Sequence, residues 1–469
     1  MSRLVFSRKP ARFALARLAG AIMPGAGASV GPLDLEPDQQ LPLPTPDWLR
    51  LRTRMAGICG SDLSLIDGTA PAYFDPLVSY PFTPGHEVVA DVVGGDRRVV
   101  LVPVLSCVTR GIDPVCAACA VGQINLCERA AFGHLSPGLQ SGFCTDTGGG
   151  WAHEMVAHPS QLVDVPAELS DEAAVLIEPT ACAAHAAARY TGKETVIIGA
   201  GTLGLLTLAA ITATRDKVRS APIVVTARYA EQKRLAKELG ADVVCTTDEM
   251  PRYVRSATSS LVFGDQLTCG APHVIDCVGS SESLQQALRV VAPGGEVQVV
   301  GMPSNVSLEL TSLWHRETAI RGCYAYTHAD FHTAIDVIRH HDLARLVSAT
   351  YALKDYTDAI AHAAAAGRRG GHGDDPVADL QAIDHVGALD HPADPGVAAL
   401  EVRRRGVHRE PLRAAGVLAG VGDADGAALE PEPDLDHRRQ RGAHVAGGDE
   451  AGPVARDLGP ARPRLQGHD

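Results

Sequence analysis

The chain has 469 residues, 45% of them hydrophobic, and a formal net charge of −13 at pH 7. This length is enough for two or three domains, and no apolar run approaches the roughly 18 residues of a membrane span, so we expect no membrane partner. The negative charge excludes a general nucleic-acid binder, and the eleven cysteines, with no secretory segment before them, favour reduced thiols or metal ligands in a cytoplasmic protein.

The first 55 residues have the pattern of short strands and turns. Leu4–Phe6 predicts a first strand, and Leu41–Pro44 predicts an extended connector. Basic residues between Arg3 and Arg17 leave a transit peptide as an alternative. We prefer the strand, followed by a polar turn at Arg8–Pro10.

Residue types that bind zinc occupy the next part of the chain. Residues 56–62 (Ala-Gly-Ile-Cys-Gly-Ser-Asp) contain Cys59, and residues 84–87 (Pro-Gly-His-Glu) contain His86 and Glu87. Each residue alone is a weak signal, because a lone cysteine is usually buried in a core and a lone His–Glu pair is usually solvated.

Four cysteines then fall close together, namely Cys107, Cys116, Cys119 and Cys127. Four thiolates would close a tetrahedral site that holds a lobe of the protein together without taking part in chemistry. Reduced free thiols are the alternative.

A glycine-rich turn is the pivot of the sequence. The β-branched run 195–198 predicts a strand, and the apolar run 203–211 predicts a helix. Between them, Gly199 permits a tight turn, Gly201 lets N–H groups approach a pyrophosphate, and Gly204 lets helix and strand pack closely. The helix N-terminus attracts the same anion. We interpret the turn as a dinucleotide site; a glycine-rich turn without a ligand is the alternative.

Strands and helices alternate around this turn. We expect strands at 223–226, 243–244, 273–279 and 296–300, and helices at 181–189, 231–239 and 284–291. This alternation is typical of a doubly wound parallel sheet, here from about 180 to 320, so the fold class is α/β. A region of mixed pattern follows from 321 to 367 and includes an amphipathic helix at 330–340.

Residues 56–62 and 84–87, followed by the cysteine cluster and the glycine turn, resemble the zinc-containing medium-chain alcohol dehydrogenases, and most of all the polyol and threonine dehydrogenases. The resemblance covers about residues 1–367. It implies a GroES-like, β-rich catalytic domain, a Rossmann domain that binds NAD(P), and a return to the catalytic domain. The expected boundaries are 1–179, 180–320 and 321–370, with a structural zinc lobe at 107–127.

The resemblance also implies the activity and the catalytic residues. The enzyme would transfer a hydride between a small alcohol or polyol and NAD(P), as a homodimer or homotetramer. Cys59 and His86 would bind a catalytic zinc, with Glu87 binding directly or through water, and Glu178 matches the family's fourth position. Which glutamate completes the site stays open. Ser61 matches a hydroxyl that relays the proton outwards; its alternative role is a turn-capping serine.

The cysteine spacing of this chain differs from that of the family's structural lobe at one interval. The spacing Cys116-x2-Cys119-x7-Cys127 matches, but eight residues separate Cys107 from Cys116 where two are usual. We interpret Thr109–Pro114 as a looped insertion, since lengthening a loop costs little closure entropy.

The resemblance places Thr202, Leu203 and Val278 beside the cofactor, together with the glycine turn. An acidic residue at the end of the second Rossmann strand normally accepts from the ribose of NAD. Here that position is Ala227, and Arg228 follows. A guanidinium can bind a 2′-phosphate bidentately, so NADP is favoured over NAD. The alternative is a solvated Arg228 and an NAD-binding enzyme.

Two other functions remain open. One is a catalytically impaired NAD(P)-binding protein, and the other is a zinc-free quinone or enoyl reductase of the same superfamily. The cysteine-rich ligand sets argue against the zinc-free reductase. Measured turnover would distinguish an active enzyme from the impaired NAD(P)-binding protein.

The composition changes abruptly after Gly370. From 371 to 469 the only residue types are Gly, Ala, Val, Asp, Glu, Leu, Pro, His, Gln and Arg, apart from Ile383. All ten are encodable by codons that begin with G or C, as happens when a GC-rich gene is translated in a shifted frame. We therefore expect a disordered, out-of-frame tail in which the family's closing strand is missing. A genuine low-complexity tail is the alternative.

Translation of the gene in its other two frames tests this idea. We expect one frame, entered near codon 370, to encode a short β-branched, lysine-containing strand and then a stop codon. Resequencing the region checks the frame itself. Open sequence without such a strand in both alternative frames would refute the shift.

Overall fold

Two β-sheets organise the part of the chain that the structure describes. A computed structural model describes residues 2–216, 218, 220–264, 266–303 and 305–365, and the backbone of a strand at 387–390. These residues all belong to one compact unit, 1–399. None of the helices in these ranges is long and apolar enough to cross a membrane.

The elements of the first half are mostly short. They are β1 (Ser2–Phe6), α1 (Pro10–Ile22), α2 (Gly27–Val30), β2 (Leu33–Pro37), β3 (Leu49–Ala56), α3 (Gly60–Ile66), β4 (Val88–Val92), β5 (Arg98–Leu101), α4 (Ala117–Ala120), β6 (Glu154–Ala157), β7 (Leu162–Asp164), α5 (Asp171–Val175) and α6 (Ile177–Ala187). The predicted first strand is confirmed as β1, which pairs antiparallel with β2. Strands β3, β4, β5 and β7 form an antiparallel sheet. Strand β6 pairs antiparallel with the first half of β3, residues 49–52.

The helical pair α1–α2 corrects the expectation of only strands and turns before residue 55. Pro10 is the first residue of α1, where a proline does not interrupt any helical hydrogen bond. Asp67, buried after α3, accepts hydrogen bonds from the backbone N–H groups of Gly25 (2.8 Å) and Gly27 (3.2 Å). These bonds fix α2 against α3, the helix that begins beside Cys59.

The second half contains the predicted parallel sheet. Its elements are β8 (Thr195–Ile198), α7 (Thr202–Thr214), β9 (Ile223–Thr226), α8 (Ala230–Glu238), β10 (Val243–Cys245), α9 (Met250–Ala257), β11 (Val262–Phe263), β12 (Gln266–Leu267), β13 (Ala271–Asp276), α10 (Ser281–Val290), β14 (Val291–Val299), α11 (Thr311–His315) and β15 (Ala319–Gly322). The strand order is β10-β9-β8-β13-β14-β15, with every neighbour parallel. This doubly wound order confirms the α/β class. Helix α9 and the β11–β12 hairpin were not predicted.

The chain then returns to the first sheet through α12 (His328–His340), β16 (Ala349–Ala352), α13 (Tyr356–Ala365) and β17 (Gly387–Asp390). Helix α12 packs beside α6 and α7, and buried residues of these three helices belong to one core cluster that also includes Val89 and Val100 of the first sheet. The core is therefore continuous between the two sheets.

Strand β17 corrects the prediction that no strand follows Gly370. It runs parallel to β16 and antiparallel to β3, with Leu389 opposite Ala56. Ladder pairing uses backbone groups, so a strand does not need the β-branched sequence that we expected there. The rest of the predicted disordered tail lies outside the described residues.

Candidate active site and metal-binding clusters

Three of the predicted ligands converge beside the start of α3. The Sγ atom of Cys59, a ring nitrogen of His86 and a carboxylate oxygen of Glu87 all lie within 4.8 Å of one another. His86 and Glu87 are buried, and Cys59 is half-buried at the start of α3. Sulfur, imidazole and carboxylate donors at such distances form a set suited to zinc.

Hydrogen bonds and close packing at two glycines hold the turn of Cys59 against the turn of His86 and Glu87. The N–H of Gly57 donates to the carbonyl of Glu87 (2.8 Å), and Trp151 donates its indole N–H to the carbonyl of Gly57 (3.0 Å). A Cβ on Gly57 would lie only 1.9 Å from Oε2 of Glu87. Gly85 has φ +93°, and a Cβ there would lie 2.5 Å from Cδ1 of Trp151. Both glycines are therefore required by sterics.

Asp62 contacts two of the three donor residues, and its role was not predicted from the sequence. Its Oδ2 accepts from the backbone N–H of Cys59 (2.9 Å), and its Oδ1 lies 3.7 Å from Nδ1 of His86. The side chain is completely buried, and Oδ1 has no hydrogen-bond partner. The charge of Asp62 thus faces the imidazole on the side of Nδ1. The sequence did contain a signal for this contact, because Asp62 lies three residues after the N-cap Cys59, where an acidic side chain commonly bonds back to the N-cap backbone.

Glu178 lies beside this trio and is held by a tyrosine. The hydroxyl of Tyr326 donates to Oε1 of Glu178 at 2.7 Å, and both side chains are buried. Tyr326 lies between β15 and α12, and its ring packs edge-on against Phe331 with centroids 4.7 Å apart. No local pattern indicated this tyrosine, because its partner is 148 residues away in sequence.

Burial and mutual repulsion dominate the electrostatics of the site. Burial, and after it the neighbouring Asp62, raises the pKa of the Cys59 thiol to about 11. Burial and the neighbouring Cys59 raise the pKa of Glu87 well above its usual range. Burial alone would lower the pKa of His86, but nearby carboxyls, led by Asp62, raise it overall. Buried acidic groups in excess of cations need a metal or a proton, so the donor set fits a divalent cation.

The four clustered cysteines form a second donor set. The Sγ atoms of Cys107, Cys116, Cys119 and Cys127 all lie within 4.8 Å of one another. The backbone N–H of Cys116 points to Sγ of Cys107 at 3.4 Å. Burial and then neighbouring sulfurs raise the pKa values of Cys119 and Cys127, since the thiols cannot all ionise without a cation among them. Four sulfurs in this arrangement suit a structural zinc.

The unusual insertion after Cys107 contains the anchor of this lobe. Arg110 is completely buried, and its guanidinium donates to the carbonyls of Leu105 (3.1 Å), Phe132 (3.0 Å), Leu135 (3.2 Å), Ser136 (3.3 Å) and Gly138. The insertion was predicted as a looped segment, and residues 109–114 do form turns. Its arginine also ties together the loop that follows Cys127.

The glycine turn lies where the order of the parallel sheet reverses, between β8 and β13. Gly199 has φ +92°, and its Cβ would lie 2.5 Å from Cγ2 of Val278. A Cβ on Gly204 would lie 1.8 Å from the carbonyl oxygen of Gly199. Thr226 of β9 accepts from the N–H of Gly199 (2.9 Å). Val278 and the glycines therefore line one crevice, the usual position of a dinucleotide in this topology.

The remaining predicted cofactor residues border this crevice. Gly201 is the N-cap of α7, and Thr202 and Leu203 form its first turn, the end of a helix that attracts anions. Ala227 is buried after β9, whereas Arg228 is exposed and its Cζ lies 5.7 Å from the ring centroid of Tyr229. The residues described at this corner thus offer a cation in place of the acidic group that NAD usually contacts.

Family comparisons agree with this architecture. Residues 45–167 match the alcohol dehydrogenase GroES-like domain, and residues 207–340 match the zinc-binding dehydrogenase domain. An L-idonate 5-dehydrogenase from Vitis vinifera is 31% identical over 306 residues, covering 61% of this chain and 75% of that protein. The chain therefore belongs to the zinc-dependent medium-chain alcohol and polyol dehydrogenases.

Other relatives are consistent with an oxidoreductase acting on alcohols or polyols. A sorbitol dehydrogenase from Halalkalibacterium halodurans is 27% identical over 342 residues, covering 68% of this chain and 90% of that protein. The solved structure of a zinc-binding dehydrogenase from Sinorhizobium meliloti 1021, bound to NADP, has the same fold. Its TM-score is 0.58 at 22% identity, with 78% of this chain and 98% of that chain covered.

Two glycines of one motif allow a matched test of the site. We expect Gly57→Ala to lower alcohol-dependent turnover by about 100-fold, because its methyl group must displace the Glu87 carboxylate. Gly60→Ala should leave turnover nearly unchanged, since no atom lies within 4 Å of the added Cβ. Steady-state kinetics on the two folded variants decides. Equal activity of both would contradict the close approach.

Proposed function

We propose that this enzyme oxidises a small alcohol or polyol, or reduces the corresponding carbonyl, with a catalytic zinc held by Cys59, His86 and Glu87. The convergence of these three donors within 4.8 Å carries the proposal. Glu178 would act from outside the trio, because Tyr326 already engages one of its oxygens. The ligand atom of His86 would be Nε2, since Nδ1 faces Asp62.

The chain's own residues would prepare the site. When bound, zinc supplies Lewis-acid polarisation of the substrate oxygen, and the nicotinamide accepts or returns the hydride. Asp62 would restrain the imidazole and the Cys59 backbone together. Ser61 follows Cys59 by two residues and its side chain lowers the pKa of the Cys59 thiol, so its hydroxyl would be close enough to pass a proton towards solvent.

The second zinc would be structural and held by the four cysteines of the lobe. Support comes from the four converging sulfurs and from the buried Arg110, whose guanidinium donates to backbone carbonyls of the loop that follows Cys127. The lobe would stabilise the catalytic domain and take no part in hydride transfer.

The preferred cofactor would be NADP. Arg228 is exposed beside the end of β9 and follows a buried alanine rather than an acidic residue. Its N–H donates to Oε1 of Gln232 (3.2 Å), and its exposed guanidinium lies over the ring of Tyr229, from which it would turn towards a 2′-phosphate. The S. meliloti relative was solved with NADP bound, which supports the same choice.

The proposal also includes the domain organisation and the assembly of the enzyme. The domain boundaries would be 1–179, 180–320 and 321–370, with an out-of-frame segment from 371 to 469. The enzyme would be a cytoplasmic homodimer or homotetramer.

Metal analysis tests the two zinc sites separately. We expect about two zinc ions per chain. Cys59→Ser should abolish turnover and remove one ion, whereas Cys119→Ser should remove the other and lower the thermal midpoint. Cys269→Ser is the matched control, because this cysteine is exposed and lies in neither cluster. A fully active enzyme without zinc would overturn the mechanism.

Substitution of Arg228 tests the cofactor. Arg228→Ala should raise the KM for NADP at least several-fold and hardly change that for NAD, because a charge-assisted hydrogen bond contributes about 1.5–3 kcal/mol. Lys237→Ala removes an exposed cation at the other end of α8 and should change neither constant. Equal losses with both cofactors after Arg228→Ala would refute the assignment.

A further inference from the structure

Helix α1 presents an apolar stripe to solvent. Six exposed residues share one arc of about 120° on the helix, by the usual 100° per residue, namely Ala11, Ala14, Leu15, Leu18, Ala21 and Ile22. The side chains of Leu18 and Ile22 are 66% and 85% exposed. The opposite side carries Ala16, which is completely buried against the protein. The inner side of the helix therefore carries Ala16 and Phe13, which packs against the core, while Leu15, Leu18 and Ile22 face solvent.

Cations border this stripe on both sides. Arg17 is exposed along one edge, and Arg8 precedes the helix near the other. Residues 1–38 contain five Lys and Arg, at positions 3, 8, 9, 12 and 17, and three acidic residues, Asp34, Glu36 and Asp38. Lys9 and Arg12 form ion pairs with Asp34, and Arg3 pairs with Glu36. The net charge of this segment, +2, contrasts with the −13 of the whole chain, which leaves −15 for the rest. Positive charge is thus concentrated where the apolar stripe is exposed.

We propose that α1 docks the enzyme onto an anionic lipid surface. An amphipathic helix with apolar residues on one face and cations at its edges lies in the headgroup region of a bilayer, with Lys and Arg reaching the phosphates. The docking is peripheral and reversible. It differs from a membrane span, which the length and hydropathy of the described helices exclude.

A second copy of the chain fits this face less well. Stable protein interfaces bury roughly 800 Å² on each partner, and one side of a 13-residue helix, about 20 Å long, is small for that purpose. Two copies would also bring their positive segments together. An anionic bilayer satisfies both the charge and the size of the stripe, because it needs only shallow insertion.

Helix α1 is also firmly mounted for such a contact. Gly20 packs so closely on the buried Asp67 that an added Cβ would lie 2.7 Å from its side chain. Asp67 in turn holds α2 through two backbone N–H groups. The stripe is therefore fixed on the surface of the folded catalytic domain, and docking needs no unfolding.

Vesicle flotation with the full-length protein tests the proposal. Wild-type protein should float with vesicles of phosphatidylcholine containing 30% phosphatidylglycerol, and much less with phosphatidylcholine alone. The double substitution Leu18→Glu with Ile22→Glu should reduce the bound fraction by about ten-fold or more. Arg17→Glu or 0.5 M NaCl should reduce it several-fold. Trp314→Glu is the control, because this side chain is 78% exposed on α11 and should not matter.

Folding and self-association are measured on the same samples. All variants should keep wild-type turnover and thermal midpoint, since the substituted side chains are exposed. Equal flotation with neutral and anionic vesicles, or no flotation with either, overturns the proposal. A loss of oligomer in the double variant, with no vesicle binding by wild type, assigns the stripe to a contact between copies and overturns it as well.

Discussion

An excess of buried acidic donors over cations is the constraint on which this active site depends. Cys59, Asp62, Glu87 and Glu178 surround one histidine, and burial raises the pKa of each of them. Without a cation these groups must hold protons or repel one another. The glycines at 57 and 85 allow the backbone to bring the donors this close. The proposed metal site and the tight turns therefore depend on the same close approach of the backbone.

Features coded by local sequence were predictable. The strand–turn–helix around Gly199 and the alternation that follows it indicated the parallel sheet, since periodicity and turn residues act over a few positions. The clustered cysteines and residues 84–87 indicated donors for the same reason. Helix α1 was missed, because Leu15, Leu18 and Ile22 point outwards and the basic residues around the helix suggested a leader segment or a polar turn.

Long-range partners could not be predicted from the sequence. Tyr326 meets Glu178 only after the chain has passed through the whole parallel sheet, and Arg110 gains four of its five carbonyl acceptors from a loop more than 20 residues later. Both are polar side chains buried at full depth, where each hydrogen bond must be satisfied by the tertiary fold. Their roles are set by topology, and topology is not written in any one segment.

The Tyr326 bond also connects the architecture to the chemistry. Tyr326 precedes α12, on the segment that leaves the parallel sheet, whereas Glu178 belongs to α6, which precedes that sheet. The position of Glu178 beside the donors thus depends on how α6 and α12 pack.

The end of β3 leads directly into Gly57 and Cys59, and β17 pairs with this end through backbone groups. The sheet therefore requires a strand at this place more than it requires a particular sequence. For this reason Gly-Ala-Leu-Asp, from a segment of atypical composition, can pair there and support the turn that carries the first metal donor.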